Sequence, residues 1–380
     1  MTAMEKNNKT LNVPNLRFPE FSGEWERCTL GDFGNVITGN TPPTAEDENY
    51  DNGTHLWASP ADLGATKYIE STQTLLSDRG FEKSRPFPAN SILVTCIGST
   101  IGKMGMSKTE MASNQQINTI VPVQHDANFV YYAVQSRFPR YLSSIAVQAV
   151  PILSKSSFEK LTNYTTARKE QIKIGNLLSL IDERIDTQKK IIEKYESLIR
   201  GLYHSVFNQP ASTLQLKDVV SVVKGQQVNG EELLEYGKYY VMNGGTEPSG
   251  YLDVCNTPAN TISISEGGNS CGYVQYNTEP FWSGGHCYSL IQKEQSVNYQ
   301  YLYHFLKYKE RNIMALRIGS GLPNVQKKDL ERFEIRVLPT KQQNRVAEIL
   351  EDVSAKCDLE KRILQGWQCQ KSYLLHNLLI

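Results

Sequence analysis

A long segment of the chain, residues 167–207, carries apolar residues at a spacing that predicts one continuous helix. Steps of four and then three residues from Ile174 reach apolar side chains at every position except Gln188. The members of this series are Ile174, Leu178, Ile181, Ile185, Gln188, Ile192, Tyr195, Ile199, Leu202 and Val206. So narrow a stripe is typical of a coiled-coil seam rather than of a globular surface helix. About 40 residues at 1.5 Å each would form a rod of roughly 60 Å.

The same stripe recurs at the end of the chain. An offset of 172 residues carries Ile174 to Val346 and Gln188 to Glu360 without an insertion. If the two helices pair, their polar positions could fix the register at some cost in stability, or they could turn toward solvent. The pattern favours neither interpretation. The predicted seam includes Ile181, Ile185, Gln188 and Ile192 in the first helix, and Val353, Cys357, Glu360 and Leu364 in the second.

A segment with strand and turn patterns precedes each predicted helix. In the first copy Gly98 and Gly102 follow a strand-like run, and Gly268 and Gly272 follow the matching run in the second. A Tyr-rich amphipathic helix is predicted next in both copies. Residues 55–85 are the exception, because they have no convincing counterpart in the second half. The chain is therefore interpreted as an internal duplication.

This duplication predicts the domain organisation. Each copy is a mixed α/β domain, α+β in type, followed by a long helix. The predicted boundaries are a tail or strap at 1–24, a first domain at 25–166, a central helix at 167–208, a second domain at 209–339 and a final helix at 340–380.

Composition adds limits to this picture. The 380 residues are too many for one ordinary core, and the 40 basic and 40 acidic residues cancel. Bulk charge therefore makes no case for nucleic acid, and a DNA-binding face would have to be local. Seven cysteines without a CxxC pair favour a reducing compartment. Without a signal-like or membrane-spanning apolar run, the protein is expected to be soluble and cytoplasmic, with no membrane partner.

Candidate catalytic and metal sites are weak. The segment from Gly98 to Lys103 has the wrong spacing for a phosphate-binding loop, and the second copy has Tyr273 in place of the lysine. The Pro42-Pro43 pair lacks the aromatic residue that an amino-methyltransferase needs to stack a flipped base. Cysteines spaced by 16 residues beside His286 are better explained as packed strand residues than as a zinc site. We therefore predict neither catalytic residues nor a metal site.

Basic residues in the domain loops are the candidates for phosphate contact, although each is individually more typical of a solvated surface charge. The amides of Asn114, Gln115 and Gln116 could read adenine edges, but turn hydrogen bonding explains them at least as well. The predicted DNA-binding residues are Lys83, Arg85, Lys103 and Arg137 in the first domain, and Lys224, Arg311, Arg317, Ser320 and Lys327 in the second.

Three short motifs accompany the duplicated order of domain and helix: Leu16-Arg17-Phe18-Pro19-Glu20-Phe21, Gly319-Ser320-Gly321-Leu322-Pro323 and Leu338-Pro339-Thr340-Lys341-Gln342-Gln343. The duplicated order is more specific than any single motif. Together these features resemble the specificity subunit of type I restriction-modification enzymes. The first helix departs from the family pattern, since Thr166-Ala167-Arg168-Lys169-Glu170-Gln171 lacks the proline found before the second helix.

The resemblance implies that each α/β domain is a target-recognition domain for one half of a split, asymmetric DNA sequence. The long helices would form an antiparallel coiled coil that spaces the half-sites and gives the chain a pseudo-twofold axis. Two methyltransferase subunits would dock on it, and two ATP-dependent restriction subunits would join. S-adenosylmethionine, ATP and Mg²⁺ would then bind to those partners, and this chain would hold no cofactor.

Two other classes of protein remain open at this point. A coiled-coil adaptor that binds only proteins would share the helices but would show no salt-sensitive association with DNA. A nuclease with an acidic site around Asp62 and Glu70 would cleave DNA in the presence of a metal ion.

Overall fold

The computed structural model describes residues 12–145, 152–293, 297–319, 321 and 323–380. The chain divides into two compact units. Unit 1 comprises Met1–Lys190 and Arg362–Ile380, and unit 2 comprises Ile191–Lys361. Each long helix therefore contributes one part to each unit.

Unit 1 contains a five-stranded sheet, a three-stranded sheet and a strand pair among its described residues. The larger sheet has the order β2-β9-β6-β7-β4, the smaller has the order β5-β3-β8, and β1 pairs with β10. The strands are β1 Glu26–Thr29, β2 Gly34–Thr38, β3 His55–Ala58, β4 Tyr68–Ile69, β5 Thr74–Leu76, β6 Ile92–Thr95, β7 Met104–Ser107, β8 Ala112–Ser113, β9 Ile117–Pro122 and β10 Thr162–Thr165. The helices are α1 Asp78–Glu82, α2 Ala127–Ile145, α3 Lys155–Glu159 and α4 Arg168–Phe207.

Unit 2 repeats this arrangement with fewer strands. Its sheets have the orders β12-β18-β15-β16 and β14-β13-β17, and β11 pairs with β19. The strands are β11 Ser212–Gln215, β12 Val220–Lys224, β13 Tyr239–Met242, β14 Tyr251–Leu252, β15 Thr261–Ser265, β16 Val274–Asn277, β17 Trp282–Ser283, β18 Cys287–Gln292 and β19 Glu334–Val337. The helices are α5 Leu216–Val219, α6 Tyr299–Tyr308, α7 Glu310–Met314, α8 Lys327–Glu331 and α9 Thr340–Leu378.

Each unit has a core where a sheet, its amphipathic helix and the two long helices meet. In unit 1, Phe129 of α2 lies in one cluster with Ile174 near the start of α4 and Leu378 at the end of α9. In unit 2, Phe305 of α6 lies with Phe207 at the end of α4 and Leu350 near the start of α9. The start of one long helix thus packs with the end of the other in each unit, as in an antiparallel coiled coil.

Equivalent polar residues cap the amphipathic helix at its start in both copies. Asp126 Oδ1 accepts from the backbone N–H of Phe129 at 2.9 Å, and Asn298 Oδ1 accepts from that of Tyr301 at 2.9 Å. The side-chain oxygen of Gln171 in turn accepts from the N–H of Asp126, and Gln343 does the same for Asn298. These helix caps differ by 172 residues in the chain, which confirms the mixed α/β duplication.

Part of residues 55–85 has a structural counterpart in unit 2 that the sequence comparison did not reveal. Strand β3 pairs in parallel with β8 at Ala58, and β13 pairs in parallel with β17 at Met242. Each pairing covers only two residues, which is too short to leave a recognisable period-2 pattern. The added elements of unit 1 are β4 and α1.

The predicted seam residues lie along the paired helices. Ile181, Ile185, Gln188 and Ile192 are all buried, with Gln188 8% exposed, and Cys357 is 2% exposed. Gln188 therefore does not turn toward solvent. Val353, Glu360 and Leu364 are half-buried.

The described part of the predicted strap, residues 12–24, lies on both long helices within unit 1. The N–H of Leu16 donates to the carbonyl of Asn377 at 2.8 Å. The guanidinium of Arg17 makes two 2.8 Å hydrogen bonds to Glu170, whose side chain is only 1% exposed. Two elements far apart in sequence are thereby joined at the start of α4.

Candidate DNA interface

One edge of unit 1 gathers loops that follow several strands. The backbone N–H of Asn40, just after β2, donates to Ser113 O at 2.9 Å. Its side-chain amide donates to Lys83 O at 2.9 Å, and Trp57 donates its indole N–H to Asn40 O at 3.0 Å. Asn40 therefore connects three separate segments at this edge.

Gly39 allows the loop after β2 to approach the turn between β8 and β9 closely. A Cβ atom on this residue would lie 2.2 Å from Ser113 O and 2.3 Å from Asn114 O, which no side chain could tolerate. Gly225 occupies the matching place in unit 2, where a Cβ would lie 2.2 Å from Gly284 O. Both units thus require glycine for the same close approach of two loops.

The turn between β8 and β9 places the three predicted amides differently. Asn114 is 8% exposed, and its Oδ1 accepts from the N–H of Gln116 at 3.0 Å, so its role is to form the turn. Gln115 is exposed, and its Oε1 accepts from the Thr41 hydroxyl at 2.5 Å. Gln115 is therefore the amide that this turn presents outward.

Two of the predicted basic residues lie at this edge. Arg85 donates to Thr38 O at 3.0 Å, and Lys83 forms an exposed ion pair with Glu46. The hydrogen bond from Lys83 lowers the pKa of the Glu46 carboxyl. Exposed pairs of this kind contribute about 0–1 kcal/mol, so breaking the pair between Lys83 and Glu46 costs little.

The corresponding edge of unit 2 has the same backbone contacts with other side chains. The N–H of Gln226 donates to Ser283 O at 2.8 Å, and Trp282 donates its indole N–H to Gln226 O at 3.0 Å. The N–H of His286 donates to the side-chain oxygen of Asn243 at 3.1 Å, while the imidazole is exposed.

A buried carboxylate lies beneath this edge. Glu266 is 9% exposed, and its Oε1 is 2.7 Å from Lys224 Nζ and 2.9 Å from the hydroxyl of Tyr288. Burial and this hydrogen bond both raise the pKa of Tyr288. Lys224 remains about half exposed, so its ammonium lies between a buried acid and solvent.

Two isolated β-bridges border the same edge. Ile318 pairs with Asn324, which also pairs with Gly267 next to Glu266. Arg317 and Lys327, which flank the bridged residues Ile318 and Asn324 in the chain, are exposed. Among the remaining predictions for unit 2, Arg311 is exposed on α7, and Ser320 lies outside the described residues.

Two predicted residues of unit 1 lie elsewhere. Lys103 packs its side chain near Gly64 and lines a cavity beside α4. Arg137 is half-buried, donates to Ile380 O at 2.7 Å and lies 4.9 Å from the ring centre of Tyr164. The structure thus gives Arg137 a role in packing that its sequence context did not indicate.

Sequence reasoning missed Gln226, His286 and Glu266 as members of the unit 2 edge. A usable signal existed, because Gly39 and Gly225 end matching strands in the two copies. The residues after each glycine, and those in the turn that approaches it, could have been compared as a pair.

The acidic residues Asp62 and Glu70 form structural contacts within unit 1. Asp62 accepts from the backbone N–H groups of Ser59 and Gln73, and Glu70 forms an ion pair with Lys108. Across the described residues, no group of three or more His, Cys, Asp or Glu side chains is placed to hold a metal ion. No helix in that part of the chain is long and apolar enough to span a bilayer.

Comparison with known proteins decides the family. The model of the type I restriction modification DNA specificity domain matches twice, at residues 22–197 and 209–366. The chain belongs to this family. It is a recognition subunit rather than a catalytic one, and as such it assembles with other subunits of a restriction-modification system and with DNA.

Individual relatives are distant but cover much of the chain. A putative type I specificity subunit of Mycoplasma genitalium is 24% identical over 283 residues, which cover 70% of this chain and 74% of the relative. The MjaVIII specificity subunit of Methanocaldococcus jannaschii is 22% identical and covers 99% of this chain and 95% of its own. The fold is that of the crystal structure of an S subunit from M. genitalium, with a TM-score of 0.77 at 21% identity, over 97% of this chain and 99% of that one.

Proposed function

We propose that this specificity subunit directs its complex to a bipartite, asymmetric DNA sequence, with each unit reading one half. The observation that carries the proposal is the edge that recurs in both units with the same backbone contacts and different outward side chains. Gln115 and Thr41 lie at this edge in unit 1, whereas Lys224 and His286 lie there in unit 2.

These side chains favour different bases. A glutamine amide can make two hydrogen bonds to adenine, and a lysine ammonium can donate to guanine O6 and N7. Phosphate contacts from Lys83 and Arg85 in unit 1, and from Arg317 and Lys327 in unit 2, would position the two edges on the duplex. Unlike half-sites follow from the unlike side chains.

The assembly would be completed by other chains. Two methyltransferase subunits would dock on the long helices, and two ATP-dependent restriction subunits would join them. S-adenosylmethionine, ATP and Mg²⁺ would bind to those subunits, and the complex would act in the cytoplasm, where its DNA is.

The test is to express this chain with the methyltransferase subunit of its own system in a host that lacks DNA methylation. Modified adenines are then mapped by single-molecule sequencing. A split motif that appears only when this chain is present is the expected result, and exchanging residues 25–165 should change one half of it. A methylated motif with two identical halves would contradict the proposed asymmetry. An assembled complex that modifies no DNA would favour an adaptor that binds only proteins.

A further inference from the structure

A cavity of about 720 Å³ lies within unit 1, where α2 and the turn before β7 face parts of α4 and α9. Its wall is partly charged and partly apolar. The charged residues that line it are Lys67, Lys103, Asp182, Asp186, Lys189 and Lys371, and the apolar side chains include Ile101, Phe138, Leu142 and Leu375.

The charges at the base of the cavity already have partners. Asp182 accepts from the hydroxyl of Tyr132 at 2.6 Å and pairs with Lys371 at 2.6 Å. Lys67 donates to Asn128 Oδ1 and to Ser179 Oγ, each at 2.6 Å. With these contacts made, the four lysines of the wall still outnumber its two aspartates, so the cavity favours an anionic group.

Two further polar side chains, Lys103 and Gln135, line the cavity. The ammonium of Lys103 is on an exposed side chain. The Oε1 atom of Gln135 is buried and makes no hydrogen bond to any described residue. A carboxamide can turn to present either its oxygen or its NH₂ group, so Gln135 can donate to an anion as well as accept.

Unit 2 shows what fills the equivalent place. The duplication aligns Lys103 with Tyr273, Gln135 with Lys307 and Phe138 with Glu310.

In unit 2 the position is occupied by a carboxylate of the chain itself. Glu310 Oε2 accepts from the backbone N–H of Val274 at 2.9 Å and from Lys307 Nζ at 2.6 Å. Lys307 Nζ also lies 4.1 Å from the ring centre of Tyr273. Unit 1 has a phenylalanine where this glutamate stands, and Met104, which aligns with Val274, lines the open cavity.

We infer that the unit 1 cavity is a docking site for an aspartate or glutamate on a partly apolar segment of the methyltransferase subunit. Lys103 and Gln135 hold the carboxylate, as Lys307 holds Glu310 in unit 2, and Phe138, Leu142 and Leu375 pack against the flanking apolar residues. A DNA phosphate would use the lysines but not these apolar walls. The inference rests on the proposed function, because the partner is a subunit of the same assembly.

The first test compares three variants of the full chain for binding to the methyltransferase subunit without DNA, by isothermal titration calorimetry. Lys103→Tyr copies the residue of unit 2, and Lys103→Glu reverses the charge. Lys108→Glu is the matched control, because Lys108 is an exposed lysine of the same domain that does not line the cavity. We expect both Lys103 variants to weaken binding at least tenfold and the control to change it less than twofold. Equal affinities for all variants would overturn the inference.

A zero-length carbodiimide cross-link supplies the second test, since it joins an amine only to a carboxylate in contact. The expected product joins Lys103 to an acidic residue of the partner. Changing that residue to lysine should then restore the binding of the Lys103→Glu variant. If the Lys103 variants bind the partner normally while the complex loses affinity for DNA, the ligand is a phosphate and the inference is wrong.

These readouts separate the inference from the proposed function. A split methylation motif together with unaffected assembly of the Lys103 variants would leave only the inference wrong. Weakened assembly without any sequence-specific methylation would leave only the proposed function wrong.

Discussion

Trp57 donates its indole N–H to the carbonyl oxygen of Asn40 at 3.0 Å. Trp282 makes the corresponding contact to Gln226 in unit 2, also at 3.0 Å. The two tryptophans come from different members of the parallel strand pair, since Trp57 lies on β3 and Trp282 on β17. In both units a tryptophan N–H therefore donates to the carbonyl of the residue after the required glycine. The tryptophan lies on a different strand of the parallel pair in each unit.

Replacing Trp57 with phenylalanine should loosen the unit 1 edge. Trp57 is 9% exposed, so the change leaves the Asn40 carbonyl without its buried donor. We expect a loss of about 1–3 kcal/mol in the free energy of unfolding of unit 1. Because the edge also carries Gln115, methylation should become less selective in one half of the DNA motif. Denaturant unfolding and sequencing of modified adenines measure the two effects, and Trp282→Phe is the control that should relax the other half instead.

Removing a charge at the same edge should act on all DNA sequences alike. Lys83→Met or Arg85→Met is expected to lower the affinity for cognate and unrelated duplexes by similar factors, since phosphates carry no sequence information. The slope of log affinity against log salt should decrease by about 0.9 for each phosphate that the variant no longer neutralises. Fluorescence anisotropy titrations of the assembled complex at several salt concentrations measure this slope. A weaker affinity for the cognate duplex alone would instead show that the residue contacts a base.

The strap on α4 offers a stability test. Arg17→Met leaves the nearly inaccessible Glu170 carboxylate without its cation, so unfolding of unit 1 should become easier by about 3–5 kcal/mol. Lys173→Met removes the neighbouring ion pair with Glu20, where both side chains are nearly half exposed, and should cost less than about 1 kcal/mol. Urea midpoints of the two variants give the comparison. Similar losses would mean that the strap contributes through packing rather than through the buried pair.

Unit 2 should lose stability in mild acid through His304. This side chain is 1% exposed, its Nδ1 lies 3.0 Å from the Tyr203 hydroxyl, and burial lowers its pKa from 6.5 to about 4. Between pH 6.5 and 4 the unfolded chain therefore takes up a proton that the folded chain does not. The stability present above pH 6.5 should fall by up to about 3 kcal/mol over this range.

Hydrogen exchange at the amides of α6 measures this loss. His304→Asn, which keeps a polar atom near Tyr203 but does not titrate, should be less stable at pH 7 and should lose less on acidification. His204→Asn is the matched control, because His204 is exposed. An unchanged acid dependence in the His304 variant would assign the effect to other groups.

The buried Lys67 should make the stability of unit 1 rise with pH in the same sense, but in mild alkali. Burial lowers its pKa from 10.5 to about 8, against the partial compensation of Asp182. Between those values the unfolded chain holds a proton that the folded chain has released, so unit 1 should gain stability as the pH rises from 8 toward 10. Burial raises the pKa of Tyr132 beside it, and such tyrosines oppose the gain at higher pH.

Lys67→Met should remove this gain, whereas Lys108→Met, at an exposed lysine, should keep it. Urea unfolding of unit 1 at pH 8, 9 and 10 is the measurement. If both variants retain the gain, Lys67 is not its source.

The helices and the duplication could be predicted because their signals are local or repeated. The a/d stripe from Ile174 extends over many turns of helix, and the observed Arg168–Phe207 differs from the predicted start by one residue. The helix cap formed by Asp126 and Gln171 recurs at a constant offset. Patterns of this kind do not depend on which distant segments meet.

The edges could not be predicted, because they depend on contacts between distant segments. No local sequence pattern indicates that Lys83 contacts Asn40, or that Lys103 lies away from both residues. The sequence does not determine the role of Gln115, because an amide that faces outward and one that forms a turn have the same local pattern. In the structure Gln115 faces outward and Asn114 forms the turn. Glu266 gives no signal either, since a lone acid after a strand is unremarkable until Lys224 and Tyr288 are placed against it.

The division of the chain has a consequence for its synthesis. Unit 2 is continuous from residue 191 to 361, so all of its residues have been made when translation reaches residue 361. Unit 1 is begun first but needs Leu374, Leu378 and Leu379, which are buried in its core. The apolar surfaces of α2 and α4 in unit 1 therefore stay unburied, either exposed or bound by a chaperone, while about half of the protein is translated. Unit 1 is therefore the first unit to be synthesised and the last to complete its core.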